Sequence, residues 1–185
     1  MKSDRTKENI IQQTIALIQE TNGAVEDITI RGIAQRAGVG VGLINHYFQS
    51  KDRLIEVCVQ TIIGGVIRSF RPEILGSKSP VEITRTVAKQ VMDFLMDNRE
   101  ISRVSILGDM KQPAAGDNTM KTVAGFTARL SGGQMPQDHR LHAFMITAVL
   151  QCAFLRKETL KDLGVDFYNK QQRDSFIDDL VERFG

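Results

Sequence analysis

The chain has no tryptophan and only two tyrosines among its 185 residues. No stretch alternates apolar and polar residues for long, so a β-sheet fold is excluded. Cysteine is nearly as scarce. Cys58 and Cys152 are alone, with no CxxC pair, which excludes a disulfide scaffold and a cysteine-built zinc site. No apolar run approaches the ~20 residues of a membrane helix. The opening MKSDRTKEN is polar and lacks the apolar centre of a signal peptide. The expectation is a soluble cytoplasmic protein. Enzyme signatures are missing too: there is no GxSxG, phosphate-cradling loop or HExxH. His139 and His142 are three residues apart on one helix, a spacing that brings two imidazoles together. Asp138 and Cys152 are the only neighbours that could complete a ligand set, but a lone HxxH is a weak signal that surface or interface histidines explain, so no metal is expected. No cofactor and no catalytic residue are expected either.

Charge is balanced overall, with 24 Lys and Arg against 22 Asp and Glu. It is unevenly placed. From Thr29 to Lys51 the charged residues are Arg31, Arg36 and Lys51, with no acid. The C-terminal stretch, by contrast, holds Asp166, Asp174, Asp178, Asp179 and Glu182. A basic surface near the N-terminus follows.

What is present is helical periodicity, almost throughout. A first helix is predicted from about Asp4 to Thr21, stopped by Asn22-Gly23, which accept the left-handed conformation. Short helices follow over Thr29 to Ala37 and about Gly40 to Phe48. Ser50 is a suitable N-cap for a long helix from Lys51 toward Phe70, closed by Pro72 and Gly76-Ser77. Ser79-Pro80-Val81-Glu82 combines an N-cap, proline at the first helical position and a capping-box glutamate. It opens a helix to about Asn98, followed by one over Arg99 to Lys111. Beyond the Gln112 to Asp117 loop come a helix to about Leu130, a Gly/Pro loop over Ser131 to Pro136, and a long helix from Asp138 to Leu163. That helix carries an apolar stripe of Leu141, Phe144, Met145, Ala148, Val149, Cys152 and Leu155. A last short helix bears Phe176, Ile177, Leu180, Val181 and Phe184. The expected fold is all-α, with about nine helices.

Residues 29–48 read TIRGIAQRAGVGVGLINHYF. Two helices of two turns each are unstable alone and must pack on each other and on the first helix. Ile30, Ile33 and Ala34 supply an apolar face to one. Val39, Leu43 or Ile44, Tyr47 and Phe48 supply the other. Ala37-Gly38-Val39 is a tight connection, with glycine where positive φ is needed. This is a helix-turn-helix, a motif that presents its second helix to the DNA major groove.

The segment resembles the N-terminal domain of the TetR family of transcriptional regulators. Thr29, Ile33-Ala34, Ala37-Gly38-Val39, Gly42, Ile44, Tyr47-Phe48, Lys51 and Leu54 follow that family's pattern in order, over about residues 8–58. Gly40 stands where the family has a capping serine, and Asn45 where it commonly has tyrosine. The resemblance implies that Thr29, Arg31, Tyr47 and Lys51 contact phosphates. It gives Val41, Leu43, Asn45 and His46 to the groove-facing surface, with Gly42 permitting close approach. Asn45 suits a phosphate or the edge of an adenine.

The resemblance further implies two domains: residues 1–50 as the helix-turn-helix DNA-binding domain, and 51–185 as a helical effector-binding and dimerisation domain. Its partners would be a near-palindromic double-stranded operator, a second copy of the chain, and a small apolar effector that releases a repressor. Candidate pocket residues are Phe70, Met92, Phe94, Met96, Met110, Phe126 and Met145, flexible or flat side chains suited to an adaptable cavity. Arg103, Asp109 and Arg129 are charged candidates for setting effector polarity. Candidate dimer residues are Met145, Val149, Cys152, Phe176 and Leu180.

Overall fold

A computed structural model of the chain describes residues 2–69, 79–130 and 137–184. Among the described residues there are nine α-helices and no strand: α1 Lys2–Glu20, α2 Ile30–Ala37, α3 Val41–Phe48, α4 Lys51–Ser69, α5 Pro80–Asp97, α6 Arg99–Lys111, α7 Asn118–Leu130, α8 Gln137–Leu155 and α9 Lys170–Phe184. Single 3-10 turns occupy Val25–Asp27 and Thr159–Leu163. The all-α expectation is met. Phe70, Pro72, Gly76-Ser77, the Ser131 to Pro136 loop and its Met135 lie outside the described residues, as do the side chains of Arg129 and Asp138.

The helices form two compact units. Met1–Arg68 with Asn98–Gln112 make the first, and Ser69–Asp97 with Pro113–Gly185 the second. The first unit therefore comprises α1 to α4 and α6.

Within that unit, Ile10, Thr14 and Ile18 line one face of α1 at successive turns and are buried together with Ile33, Ile44, Leu54, Cys58 and Val59. Asn22 takes φ 51° and Gly23 takes φ 85°. The Gly23 N–H reaches back to the Ile18 carbonyl at 2.8 Å, closing α1 where the sequence indicates. On α4, Gln60 Nε2 donates to the Ser105 carbonyl at 3.1 Å and to Asp109 Oδ1 at 2.8 Å on α6. A Cβ at Gly108 would fall 2.9 Å from Glu56 Oε1, the mobile tip of an α4 side chain that would have to shift to admit it.

The second unit holds α5 and α7 to α9 around Val87, Ala88, Met92, Phe126, Ile146, Leu150, Phe154, Phe167, Ile177 and Val181. The capping box at α5 forms. The Ser79 N–H donates to Glu82 Oε2 at 2.8 Å, and the Glu82 N–H to Ser79 Oγ at 3.3 Å. Asp117 caps α7 by accepting from the Met120 N–H at 2.8 Å. Two acidic side chains tie α5 and α9. Asp93 on α5 accepts from Arg173 and Lys170 on α9, while Asp178 on α9 faces Arg85 and Lys89 on α5.

The helix expected from Asp138 to Leu163 is shorter. After Leu155 the amide of Lys157 turns to the Phe154 carbonyl three residues back. The chain tightens into the Thr159–Leu163 turn. Gly164, at φ 84°, ends it. α8 is apolar on two opposite faces. Ala143, Ile146, Leu150, Ala153 and Phe154 are buried in the unit's core. The stripe read from the sequence points the other way: Leu141 is 56% exposed, Phe144 46% exposed, Cys152 is exposed, and Met145, Ala148, Val149 and Leu155 are half-buried.

Candidate nucleic-acid interface

The site is built on α2 and α3, each of only eight residues. Helices this short hold because other groups satisfy their ends. At the start of α2, Thr29 is the N-cap, its Oγ accepting from the Gly32 N–H at 3.1 Å. At its end, Gly38 takes the left-handed conformation (φ 67°, ψ 34°), and its N–H returns to the Ala34 and Gln35 carbonyls, the usual glycine stop. Val39 then donates to the Ala34 carbonyl at 3.0 Å, so the chain reverses within three residues.

α3 has a weaker start. Its N-cap, Gly40, offers no side-chain acceptor. Its core side is firm: Ile44 is fully buried and Phe48 nearly so. Consequently the opposite side faces outward, and Gly42, Leu43, Asn45 and His46 form a continuous exposed surface. Val41 and Tyr47 flank it, half-buried. Tyr47 sits edge-on to both His46 and Phe48, with ring centroids 5.3 and 6.2 Å away. No atom lies within 4 Å of a Cβ built at Gly40 or Gly42. Neither glycine is required by its intramolecular neighbours.

Beyond α3 the chain turns sharply. Gln49 has φ 67°. The Ser50 N–H reaches the Phe48 carbonyl at 2.8 Å, a strained three-residue turn. Ser50 then caps α4, its Oγ accepting from the Arg53 N–H at 3.1 Å.

Of the expected phosphate contacts, Thr29 and Arg31 are exposed at the N-terminus of α2, where the helix dipole favours anions. Lys51 is half-buried, and its ammonium donates to the Ile28 carbonyl at 3.0 Å, immediately before the α2 N-cap. Asn9 of α1 has a comparable contact, its side-chain amide donating to the Ala37 carbonyl at 2.9 Å. Sequence reasoning misses both contacts, since no local signal marks either. Arg36 points back to α1 and forms a two-pronged pair with Glu20 at 2.5 Å. That charge-assisted hydrogen bond lowers the Glu20 pKa and raises that of Arg36. A third α1 contact places the Lys7 ammonium 5.8 Å from the Phe48 ring, within cation–π range. The surface left for a ligand is acid-free from Thr29 to Lys51 and carries a small-residue notch at Gly42.

A family model described as bacterial regulatory proteins, tetR family, matches residues 10–58, the span just built. Over these residues the chain is similar to the TetR family. Among its relatives, the HTH-type transcriptional regulator BetI 1 of Chromohalobacter salexigens is 33% identical over 100 residues, covering 52% of this chain and 48% of that protein. The HTH-type transcriptional regulator BetI of Serratia proteamaculans is 36% identical over 76 residues, 40% of this chain and 37% of that one. The chain thus spans less than half the length of these relatives. Solved structures share the TetR fold over almost the whole chain. A TetR transcriptional regulator from Rhodococcus sp. RHA1 has TM-score 0.53 at 18% identity, covering 98% of this chain and 97% of that one. FadR from Bacillus subtilis, solved with stearoyl-CoA, has TM-score 0.55 at 19% identity, covering 95% of each chain.

Met92, Met96 and Phe126 are buried in the second unit, and Phe94 and Met145 are half-buried there. Met110 belongs to the first unit, on α6, and is 51% exposed. Asp109 is also in that unit, engaged with Gln60; Arg103 is exposed on the same helix. Leu180 is buried, and Phe176 is half-buried with its ring edge-on to Phe167 at 5.3 Å. His139 is half-buried, its Nδ1 without a hydrogen-bond partner, and His142 is half-buried. Among the described residues no group of three metal-ligating side chains occurs, and no helix is long and apolar enough to cross a membrane.

Proposed function

We propose that the chain is a sequence-specific DNA-binding transcriptional regulator, acting as a homodimeric repressor that a small apolar effector releases. It carries out no catalysis and works in the cytoplasm, on the nucleoid when bound. The observation that carries the reading is α3, anchored by Ile44 and Phe48, with Gly42, Leu43, Asn45 and His46 turned outward in an acid-free segment of a TetR-family domain.

In this reading residues 1–50 are the DNA-reading domain. α3 enters the major groove, Asn45 and His46 address base edges, and Leu43 and Val41 make apolar contact, for example with a thymine methyl. Thr29, Arg31, Tyr47 and Lys51 hold phosphates and fix the register. Residues 51–185 dimerise and take the effector. One reading helix covers too few base pairs for selectivity, whereas a two-fold pair reads a near-palindrome. The outward apolar face of α8, which carries Met145, Val149 and Cys152, together with the half-buried Phe176 of α9, supports pairing by a four-helix bundle; Leu180, also expected there, is buried in the core of its own unit. Met92, Phe94, Met96, Phe126 and Met145 supply repackable side chains to an effector site. That FadR, of the same fold, was solved with stearoyl-CoA supports a ligand role for this half. The effector must prefer one of two spacings of the reading heads, since equal affinity for both shifts nothing.

Selection from fragments of the host genome, followed by footprinting at low ionic strength, tests the reading. A protected near-palindrome is expected. No protected site, or a strictly monomeric protein, overturns it.

A further inference from the structure

Both ends of α2 are held by side chains from other helices. At the leading end, the Lys51 ammonium on α4 donates to the Ile28 carbonyl at 3.0 Å. At the trailing end, the Asn9 amide on α1 donates to the Ala37 carbonyl at 2.9 Å. Ala37 is the last residue of α2, and carbonyls in a last turn lack an intrahelical partner. The Gly38 and Val39 amides return to Ala34 and Gln35 instead, so Asn9 answers the acceptor they leave over. Ile28 precedes the N-cap, and its carbonyl stands outside the helix ladder, with its side chain buried.

A two-turn helix is short enough that pinning both ends fixes its direction. α3 follows after only Gly38, Val39 and Gly40, so its direction is fixed with it. We infer that Asn9 and Lys51 are positioning residues of the reading head: together they aim α3, and sequence discrimination depends on hydrogen bonds that touch no base. Lys51 then has two roles. One N–H is engaged by Ile28, and the remaining two are available to a phosphate. An ammonium already anchored loses less side-chain freedom on meeting DNA than a free lysine does. Asn9 has only the aiming role.

This inference rests on the DNA-reading assignment above, and the test separates the two. Asn9→Leu, Asn9→Ala and Lys51→Met are compared with the unaltered protein on two probes: a duplex the wild type selects from a randomised library, and a scrambled duplex of equal length. Asn9→Leu is expected to bind the selected duplex about tenfold more weakly, the scale of one lost hydrogen bond. Its affinity for the scrambled duplex and its salt dependence should not change. Lys51→Met is expected to lose both discrimination and about one unit of salt slope. A purely structural role lowers both affinities together, and a pure phosphate contact leaves their ratio intact; either result overturns the inference. In the free protein, backbone amides of α2 and α3 should exchange faster in the Asn9 variants, and unchanged exchange would contradict the clamp itself. A wild type that binds neither duplex at low salt defeats the DNA-reading assignment, while the exchange measurement still decides whether Asn9 holds α2.

Discussion

Arg173 and Asp93 meet at 2.6 Å across the α5–α9 contact, and the same guanidinium donates to the Phe167 carbonyl at 2.7 Å. Its side chain is 8% exposed, so Arg173 is a buried cation answered by one carboxylate and one carbonyl. Partial burial disfavours the charged form of Asp93, but hydrogen bonds from Lys170 and Arg173 outweigh it and hold the carboxyl below its usual range, as opposite charges at this distance do. A depressed carboxylate pKa stabilises the fold above its unfolded value of about 3.9, and that stability fades as pH falls through the folded value. Melting curves of Asp93→Asn and wild type should therefore differ near neutrality and converge in acid. Arg173→Met should cost about 2–3 kcal/mol, the scale of hydrogen bonds to a charged group. A pH-independent gap between Asp93→Asn and wild type would contradict the assignment.

Gly42→Ala should separate stability from function. The position has ordinary helical φ and open space where the methyl would go. Alanine gains up to about 1 kcal/mol over glycine within a helix. The melting temperature should rise while operator affinity falls, if DNA approaches α3 closely at Gly42 as proposed. An unchanged affinity would remove Gly42 from the contact surface.

Val149→Asp tests the pairing face. Val149 is half-buried at the edge of the outward stripe of α8, so circular dichroism must first show that the aspartate leaves the second unit folded. Sedimentation should show a monomer, and the operator footprint should vanish. A variant that still sediments as a dimer would reject this surface. Phe176 is a poorer probe, because its ring also packs on Phe167 within the same chain.

The two thiols should behave differently. Cys58 is wholly buried. Burial pushes its thiol up to about 12, against a lowering hydrogen bond with Thr14 and a small upward push from Glu8. Cys152 is exposed. A disulfide reagent at about pH 8 should titrate one thiol per native chain and two after denaturation. If α8 is the pairing face, Cys152 should react more slowly as protein concentration rises.

Much of this is legible in the residue order because local chemistry decides it. Asn22-Gly23, Thr29, Gly38, Ser50 and Ser79 with Glu82 mark helix ends through their own backbones or caps, and the helices end there. Ile44 and Phe48 on one side of α3 fix what the other side exposes. Contacts between distant residues are not legible. Nothing local says that Lys51 reaches Ile28 or that Asn9 reaches Ala37, since each depends on how three helices pack. The end of α8 is hidden for a related reason. Residues 156–163 have no strong breaker until Gly164, and whether the helix continues to it is settled by hydrogen bonds that tighten after Leu155. The α8 stripe is apolar as expected, but periodicity alone does not reveal that a second apolar face occupies the core and leaves the stripe outside.

Only Gln49 and Ser50 separate α3 from α4. A joint of two residues, one of them held at positive φ, leaves little slack, so the axes of the two helices are geared. Lengthening the joint by a single glycine would act as a clutch, leaving each helix intact while the torque between them slips.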